Sequence, residues 1–158
     1  MLVAFGDESG TPSPADGERV FTVALLVVQD LRHLERIVRR ARRSLRRRAR
    51  TSELKASRSH PRVIHRVLSA LSQAECEIYV TAVDKRGITA RQGEVLYRAA
   101  VARVVRHCVE RHPRINLCLD KRYTNRTQQA QAAQLVAEKV VVEEEVRGIK
   151  IAALPGGR

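Results

Sequence analysis

Four carboxylate residues adjoin apolar stretches of the sequence or follow closely on a predicted helix: Asp7, Glu53, Asp84 and Asp120. Carboxylates that converge on one edge of a sheet repel one another, and their pKa values rise unless a cation lies between them. Oxygen ligands without a matching set of His and Cys suit Mg²⁺ or Mn²⁺. Two such ions about 3.5 to 4 Å apart are a common device for hydrolysing phosphodiesters. The residue types therefore predict metal-dependent phosphodiester cleavage.

Asp7 is the first candidate, in the stretch Phe5-Gly6-Asp7-Glu8-Ser9-Gly10. Residues 2–5 are apolar enough to form a central strand, and a carboxylate placed directly after a buried strand is expensive to desolvate. Asp7 and Glu8 are adjacent, so in an extended chain they point to opposite faces and only one can enter a given site. We choose Asp7. The alternative is a turn, because Asp, Ser and Gly are the usual turn residues.

The charge balance points to an anionic partner. The chain of 158 residues has 30 Lys and Arg against 17 Asp and Glu, which gives a formal net charge of +13 and a pI near 10.9. Such an excess favours nucleic acid first, with an anionic membrane surface or an acidic protein as alternatives. Aromatic residues are scarce, so no stacking platform for single-stranded bases is visible.

An arginine-rich helix is predicted after Asp30, which is suited to cap it. One side is apolar, with Leu31, Leu34, Val38, Ala41 and Leu45 at spacings of three and four. Between positions 39 and 50, eight of twelve residues are Arg. We expect the helix and two lysines to bind nucleic acid through Arg39, Arg42, Arg43, Arg46, Arg47, Arg50, Lys55 and Lys121. The alternative is a solvated face that counterions or carboxylates elsewhere in the fold neutralise.

The other elements place the carboxylates at the ends of strands. Further strands are predicted over residues 20–28, 77–83, 115–119 and 149–154, and further helices after Ser59 and over 90–112 and 125–146. The first two strands form a hairpin around the Pro- and Gly-rich loop 9–18. Later strands alternate with helices, which predicts a parallel arrangement in that half. Asp84 and Asp120 each begin an Asp-Lys-Arg run, so both should lie at the carboxyl edge where α/β sheets bind ligands.

Three motifs together resemble a known family. They are the opening Phe5–Gly10 stretch, the block Glu53-Leu54-Lys55-Ala56-Ser57 and the strand end Leu119-Asp120-Lys121-Arg122-Tyr123. The chain resembles the bacterial domain of unknown function 3800 family over positions 5 to 154. This resemblance implies an α/β, RNase H-like three-layer domain with a mixed central sheet, an N-terminal hairpin and helices on both faces. It also implies a metal-dependent site.

The family's acids map onto particular residues of this chain. Asp7 matches the acid on the first strand, Glu53 the acid borne by a helix, and Asp120 the acid at a strand end; Asp84 is a further acid with a poorer match. The family continues past its last strand into a segment with a Ser and a helix bearing Gln-Leu-Ala-Asp. This chain instead reads Pro155-Gly156-Gly157-Arg158 there. We therefore expect a single domain over residues 1–158 that lacks the family's C-terminal segment.

Two functions follow as hypotheses. The first is a nuclease that uses Mg²⁺ or Mn²⁺ held by Asp7, Glu53 and Asp120, with Asp84 assisting and with DNA and RNA both open as substrates. The second is a non-catalytic module, as a monomer or a homodimer, whose arginine helix binds nucleic acid or an acidic partner. We expect a cytoplasmic protein, since the longest apolar run is too short for a bilayer and no leader segment is visible. The three cysteines, Cys76, Cys108 and Cys118, are expected to be buried free thiols.

Overall fold

The computed structural model describes residues 2–13, 17–45, 56, 59–89, 92–119, 134 and 150–153. Within these ranges the chain forms five strands and three helices. In chain order they are β1 (Leu2–Ser9), β2 (Val20–Val28), α1 (Leu31–Leu45), α2 (Pro61–Ser72), β3 (Cys76–Asp84), α3 (Gly93–Arg111), β4 (Ile115–Leu119) and β5 (Lys150–Ala153). The helix predicted over 125–146 lies outside the described residues except at Gln134, which is helical.

The five strands form one sheet in the order β3-β2-β1-β4-β5. β1 is therefore the central strand. β4 pairs with it in parallel, with Leu2 opposite Ile115 and Gly6 opposite Leu119. β5 is parallel to β4 in turn. This confirms both the last short strand and the parallel arrangement predicted for the C-terminal half.

The first two strands form the predicted hairpin. A Cβ atom added to Gly6 would lie 2.8 Å from Cδ2 of Leu25, and one added to Gly10 would lie 3.8 Å from Cα of Phe21. Residue 6 is thus opposite residue 25 and residue 10 opposite residue 21, which is an antiparallel register. The same register puts Asp7 level with Ala24.

The other neighbour of β2 is the edge strand β3. The backbone N–H of Lys85 donates to the carbonyl oxygen of Arg19 at 2.8 Å, so the end of β3 lies beside the start of β2. The two strands are therefore antiparallel, and the sheet is mixed, as predicted. β1, β3 and β4 all run in one direction, and their carboxyl ends lie at one edge of the sheet. β3 and β4 are nevertheless separated by the two strands between them.

One face of the sheet packs against α3. The core there consists of Ala4 of β1, odd-numbered residues of β2 and β4, and the inner side of α3, with Tyr79 and Val83 of β3 at its margin. The spacing of Tyr97, Val101, Val104 and Cys108 in the sequence predicts one inward side of this helix, and all four residues are buried. Each large apolar side chain buried in this way contributes roughly 1.5 to 3 kcal/mol. Even-numbered positions of β1 thus face α3, and odd-numbered positions face away.

Two compact units can be distinguished, residues 1–27 with 78–158 and residues 28–77. The first contains the core just described. In the second, α1 and α2 pack against each other. The backbone N–H of His33 donates to Oδ1 of Asp30 at 3.0 Å, which confirms the predicted cap of α1. The expectation of one domain over residues 1–158 stays a prediction.

Several details differ from the predictions. β1 extends to Ser9 rather than ending near residue 5, because its pairing with β2 continues to the level where Gly10 lies beside Phe21 and so holds the polar end in the sheet. His60, not Ser59, caps α2, since its ring accepts the N–H of Arg62 at 3.2 Å. The spacing of Ile64, Val67, Leu68 and Leu71 predicts one buried face of α2, but Leu68 is 57% exposed. No residue of α2 is fully buried among those that the structure describes.

Other outcomes concern the cysteines and the apolar side of α1. All three thiols are free, as predicted, but only Cys108 is buried, whereas Cys76 and Cys118 are half-buried. Of the α1 side chains that the structure describes, Ile37 and Ala41 are buried, and Ile37 was absent from the predicted stripe. Leu31, which the stripe included, is exposed, and the side chain of Leu45 lies outside the described residues. No helix in the described part of the chain is both long enough and apolar enough to span a membrane.

The space around Gly6 yields a first prediction. A Cβ atom there would lie 2.5 Å from Cδ2 of Leu119 and 2.8 Å from Cδ2 of Leu25. We expect Gly6→Ala to lower the free energy of unfolding by about 1 to 3 kcal/mol, as overpacked core positions do. Adding Leu119→Val should recover part of this loss, because the shorter side chain makes room. Urea unfolding measures both effects.

The matched control is Gly6→Ala combined with Ile37→Val, which belongs to the other compact unit. Effects of independent sites add to within about 0.5 kcal/mol, so this pair should be additive. If the Leu119→Val pair were equally additive, close approach at Gly6 would not be the cause.

Candidate active site

Asp7 lies near the carboxyl end of the central strand. Its side chain is exposed and, by the alternation of β1, stands on the face of the sheet away from α3. Oδ1 accepts the backbone N–H of Glu8 at 2.9 Å, and no other described residue donates to the carboxylate. The expected desolvation of Asp7 is therefore wrong, because β1 carries it to an open part of the edge. An exposed carboxylate with a spare oxygen can accept a cation from solvent.

Glu8 occupies the next position and so belongs to the opposite face. Its side chain is half-buried, beyond Ala4 and Gly6 on the side of α3. The prediction that Asp7 and Glu8 diverge is confirmed by this alternation. Glu8 is therefore a suitable control for Asp7, because it is also a carboxylate but belongs to the opposite face of the sheet.

β4 supplies the strand next to Asp7. The described register ends with Gly6 opposite Leu119, one residue before Asp7 on one strand and one residue before Asp120 on the other. Asp120 and Glu53 themselves lie outside the described residues. Of the three predicted metal ligands, the structure thus describes Asp7 alone. Its described residues contain no group of three or more His, Cys, Asp or Glu side chains placed to hold a metal ion.

Asp84 ends β3 and is held by two arginines. Oδ2 accepts Nε and Nη2 of Arg19 at 3.1 and 3.0 Å and Nε of Arg86 at 2.8 Å. Oδ1 accepts the backbone N–H of Arg86 at 3.0 Å. The hydrogen bonds from Arg19, followed by those from Arg86, hold the pKa of Asp84 well below its usual range. This carboxylate is therefore ionised at neutral pH and already has cationic partners.

The sheet keeps Asp84 apart from Asp7. Both belong to the face away from α3, but two strand spacings, about 10 Å, separate β3 from β1. The pairing of residues 19 and 85 puts Ala24 level with Val80, and Asp7 is level with Ala24. Asp84 therefore lies four residues, about 13 Å, farther along the sheet. The two carboxylates share an edge, yet they are too far apart to hold one ion between them.

Lys85 is a residue that the sequence analysis missed. Its side chain is only 3% exposed, and Nζ donates to the carbonyl oxygens of Thr11 and Ser13 at 2.9 and 3.1 Å. The ammonium group thereby fastens the loop that follows β1. The alternation of β3 could have indicated its burial, since Lys85 continues the odd-numbered series of β3 positions that face α3. In the Asp-Lys-Arg run, only the aspartate has the chemistry of a metal ligand, so the lysine was not singled out.

The basic face of α1 is present as predicted in the described part of the helix. Arg39, Arg40, Arg42 and Arg43 are all exposed, and none forms an ion pair with another described residue. Arg46, Arg47, Arg50, Lys55 and Lys121 lie outside the described residues. The helix thus offers four charged side chains to solvent over little more than one turn. Such a density suits a polyanion.

Comparison with known proteins supports the fold. No family model matches the sequence, and no curated protein matches it. Among solved structures the chain is similar to RNase HII from Archaeoglobus fulgidus, determined in complex with PCNA, with a TM-score of 0.60 and 12% sequence identity. The match covers 97% of this chain and 62% of the RNase HII chain. The likeness confirms the predicted α/β, RNase H-like fold class. The resemblance to the domain of unknown function 3800 family stays a prediction.

The pairing of Asp84 predicts a pH-dependent contribution to stability. A carboxyl whose pKa is lower in the folded state stabilises the fold above its unfolded pKa, about 3.9, and loses that effect as pH falls through the folded pKa. We expect wild type to exceed Asp84→Asn in urea midpoint equally at pH 7 and pH 5. At pH 3 the difference should shrink. A difference that is constant down to pH 3, or none at pH 7, would contradict this assignment.

Proposed function

We propose that this protein is a cytoplasmic, metal-dependent nuclease that hydrolyses phosphodiester bonds of nucleic acid at the carboxyl ends of β1 and β4. The observation that carries the proposal is the exposed carboxylate of Asp7, on the central strand of an RNase H-like sheet and beside a parallel strand that leads into Asp120. Asp7 directly follows the last described pair of β1 and β4, and Asp120 is the next residue in the sequence after β4.

The register supports this choice of residues. Gly6 is opposite Leu119, and each is followed in the sequence by an aspartate. If the pairing continues by one residue, Asp7 and Asp120 are neighbours on the same face, and adjacent strands are about 4.8 Å apart. Carboxylates at that spacing can bind one divalent cation in common. The same reasoning leaves Asp84 out, because its strand is not adjacent to β1.

The donors suit Mg²⁺ or Mn²⁺. Asp7, Asp120 and Glu53 offer carboxylate oxygens, and Asp7 is open to solvent with one oxygen that accepts no described hydrogen bond. Such a cation, when bound, activates water and stabilises the charge on the leaving oxygen. Asp7 would hold and orient it from the rigid centre of the sheet. Glu53 would contribute from its own segment, as the family resemblance implies.

The substrate class follows from charge. The net charge of +13 and the exposed arginines of α1 favour a polyanion, and nucleic acid is the polyanion that a phosphodiesterase cleaves. The structural neighbour is named as an RNase. The RNase H-like fold, the exposed carboxylate of Asp7 and the basic face of α1 therefore all support nucleic acid as the substrate.

A second candidate is a non-catalytic binding module, either a monomer or a homodimer. The exposed arginines of α1 favour it, since they can bind nucleic acid without any chemistry at β1. The two candidates differ in what Asp7 does. Under the first, its loss stops cleavage and leaves binding intact, whereas under the second only the loss of arginines has a measurable effect.

Cleavage of labelled single-stranded and duplex DNA and RNA, with Mg²⁺, Mn²⁺ or EDTA, tests the nuclease. We expect metal-dependent cleavage by wild type and a loss of at least about 100-fold in Asp7→Asn and Glu53→Gln, because losing metal-based stabilisation costs several kcal/mol. Glu8→Gln is the matched control and should cleave normally. Two results would contradict the nuclease: equal activity of Asp7→Asn and wild type, or salt-sensitive binding without cleavage by any of these proteins. Either result would favour the non-catalytic binding module.

The arginine face is tested by the salt dependence of duplex DNA binding in EDTA. We expect Arg39→Gln combined with Arg43→Gln to reduce the slope of log K against log salt by about 2, since each phosphate contact contributes about 0.9. Arg103→Gln with Arg114→Gln removes the same charge from exposed positions outside α1. If the control pair lowers the slope equally, net charge and not α1 governs binding.

A further inference from the structure

Two guanidinium groups share one carboxylate oxygen at the end of β3. Nε and Nη2 of Arg19 lie 3.1 and 3.0 Å from Oδ2 of Asp84, and Nε and Nη2 of Arg86 both lie 2.8 Å from the same oxygen. The second oxygen, Oδ1, accepts the backbone N–H of Arg86. These three side chains form the Arg19–Asp84–Arg86 cluster. Its carboxylate has bonding partners on both oxygens.

The cluster is cationic and open to solvent. Its two guanidiniums outweigh one carboxylate, which leaves a net positive charge. The side chains of Arg19 and Arg86 are 62% and 72% exposed. Each guanidinium uses Nε and Nη2 on Asp84, so that Nη1 and its two hydrogens remain available, and no described residue accepts from them. Two fixed, outward guanidinium edges make a suitable site for a tetrahedral dianion or a phosphodiester.

Holding β3 beside β2 does not require both arginines. The backbone bond from Lys85 N–H to the Arg19 carbonyl already joins β3 to β2 at this level. Exposed ion pairs add little to stability in general. A single arginine would neutralise Asp84, yet two are present. No second acid among the described residues pairs with either arginine, so the excess positive charge is open to an anion from outside the chain.

The position of the cluster fits a long anionic ligand. Asp84 ends its strand at the same edge of the sheet as Asp7 and on the same face. The two strand spacings and four residues that separate the two aspartates amount to about 16 Å. Each strand of a duplex carries one phosphate per base step, about 3.4 Å apart along the helix axis, so this distance falls within a few nucleotides of backbone. A strand whose scissile bond lies at Asp7 can therefore place another phosphate at the cluster.

We propose that the Arg19–Asp84–Arg86 cluster binds a backbone phosphate of the nucleic acid, a few nucleotides from the reaction centre. Arg19 and Arg86 contact the phosphate, and Asp84 is a positioning residue that fixes both guanidiniums. The choice of ligand rests on the proposed function. The assignment also gives Asp84 a role other than the acid that the sequence suggested.

The test measures binding of a 20-base-pair DNA duplex in EDTA at several salt concentrations, so that no cleavage is needed. The key variants are Arg19→Gln with Arg86→Gln, and Arg19→Lys with Arg86→Lys. Both pairs disturb the geometry at Asp84, but only the lysine pair keeps the charge. Arg103→Gln with Arg114→Gln controls for net charge, and urea unfolding of every variant reports on folding.

We expect the glutamine pair to reduce the salt slope by about 1 to 2 and the lysine pair to stay close to wild type. The control pair should leave the slope unchanged. The proposal is overturned if the glutamine pair binds with the wild-type slope, if the control pair lowers it equally, or if wild type does not bind the duplex. It is also overturned if both the glutamine and lysine pairs lose the slope together with their urea midpoints, which would make the cluster purely structural.

The two proposals can fail separately. Suppose that wild type never cleaves, and that the glutamine pair lowers the salt slope of binding while the control pair does not. The nuclease proposal is then wrong and the phosphate site is supported. If instead cleavage depends on Asp7 and the glutamine pair binds with the wild-type salt slope, the nuclease proposal is supported and the phosphate site is wrong.

Discussion

The structure depends on a single close approach at the centre of the sheet. β1 is paired on both sides, and the side chains of Leu25 and Leu119 meet over Gly6, where no Cβ atom fits without displacing them. This packing brings β2 and β4 against β1 at the residue that precedes Asp7. The position of the carboxylate is therefore set by the apolar face beneath it. A strand held on both sides is also a rigid support, which is what a group that must hold a cation requires.

The two aspartates at this edge differ in their surroundings. Asp84 is bonded on both oxygens and carries a depressed pKa, whereas Asp7 accepts one backbone N–H and faces solvent. Both residues follow or end an apolar strand, and the sequence alone treats them alike. What separates them is the arginine at the start of β2, which lies 65 positions before Asp84 in the chain. The carboxylate of Asp84 is bound to guanidinium groups and fixes their positions. The carboxylate of Asp7 is exposed and can bind a cation from solvent.

Periodicity in the sequence predicted much of the fold. β2, β4 and the inward side of α3 have strong, regular apolar patterns, and all three were confirmed. The extension of β1 to Ser9 was missed because backbone pairing with β2, not side-chain hydropathy, keeps that polar end in the sheet. The exposure of Leu68 was missed because apolar spacing on a helix does not show whether other side chains cover it. For the site, the strand of Asp7 and its divergence from Glu8 were predictable. Its exposure and the distance of Asp84 were not, since sheet order does not follow from periodicity.

The pairing of β1 with β4 also bears on how the protein folds. It joins residues 2–6 to residues 115–119, so the two halves of the contact are more than a hundred positions apart in the chain. Closing so long a loop is entropically costly, and folds rich in such non-local contacts form slowly. The hairpin of β1 and β2 needs only a short loop and can form early. Until β4 docks, one side of β1 is a bare edge with exposed backbone donors and acceptors. During synthesis β1 leaves the ribosome long before β4 does. In the interval the unpaired edge of β1 is exposed, and such an edge favours aggregation.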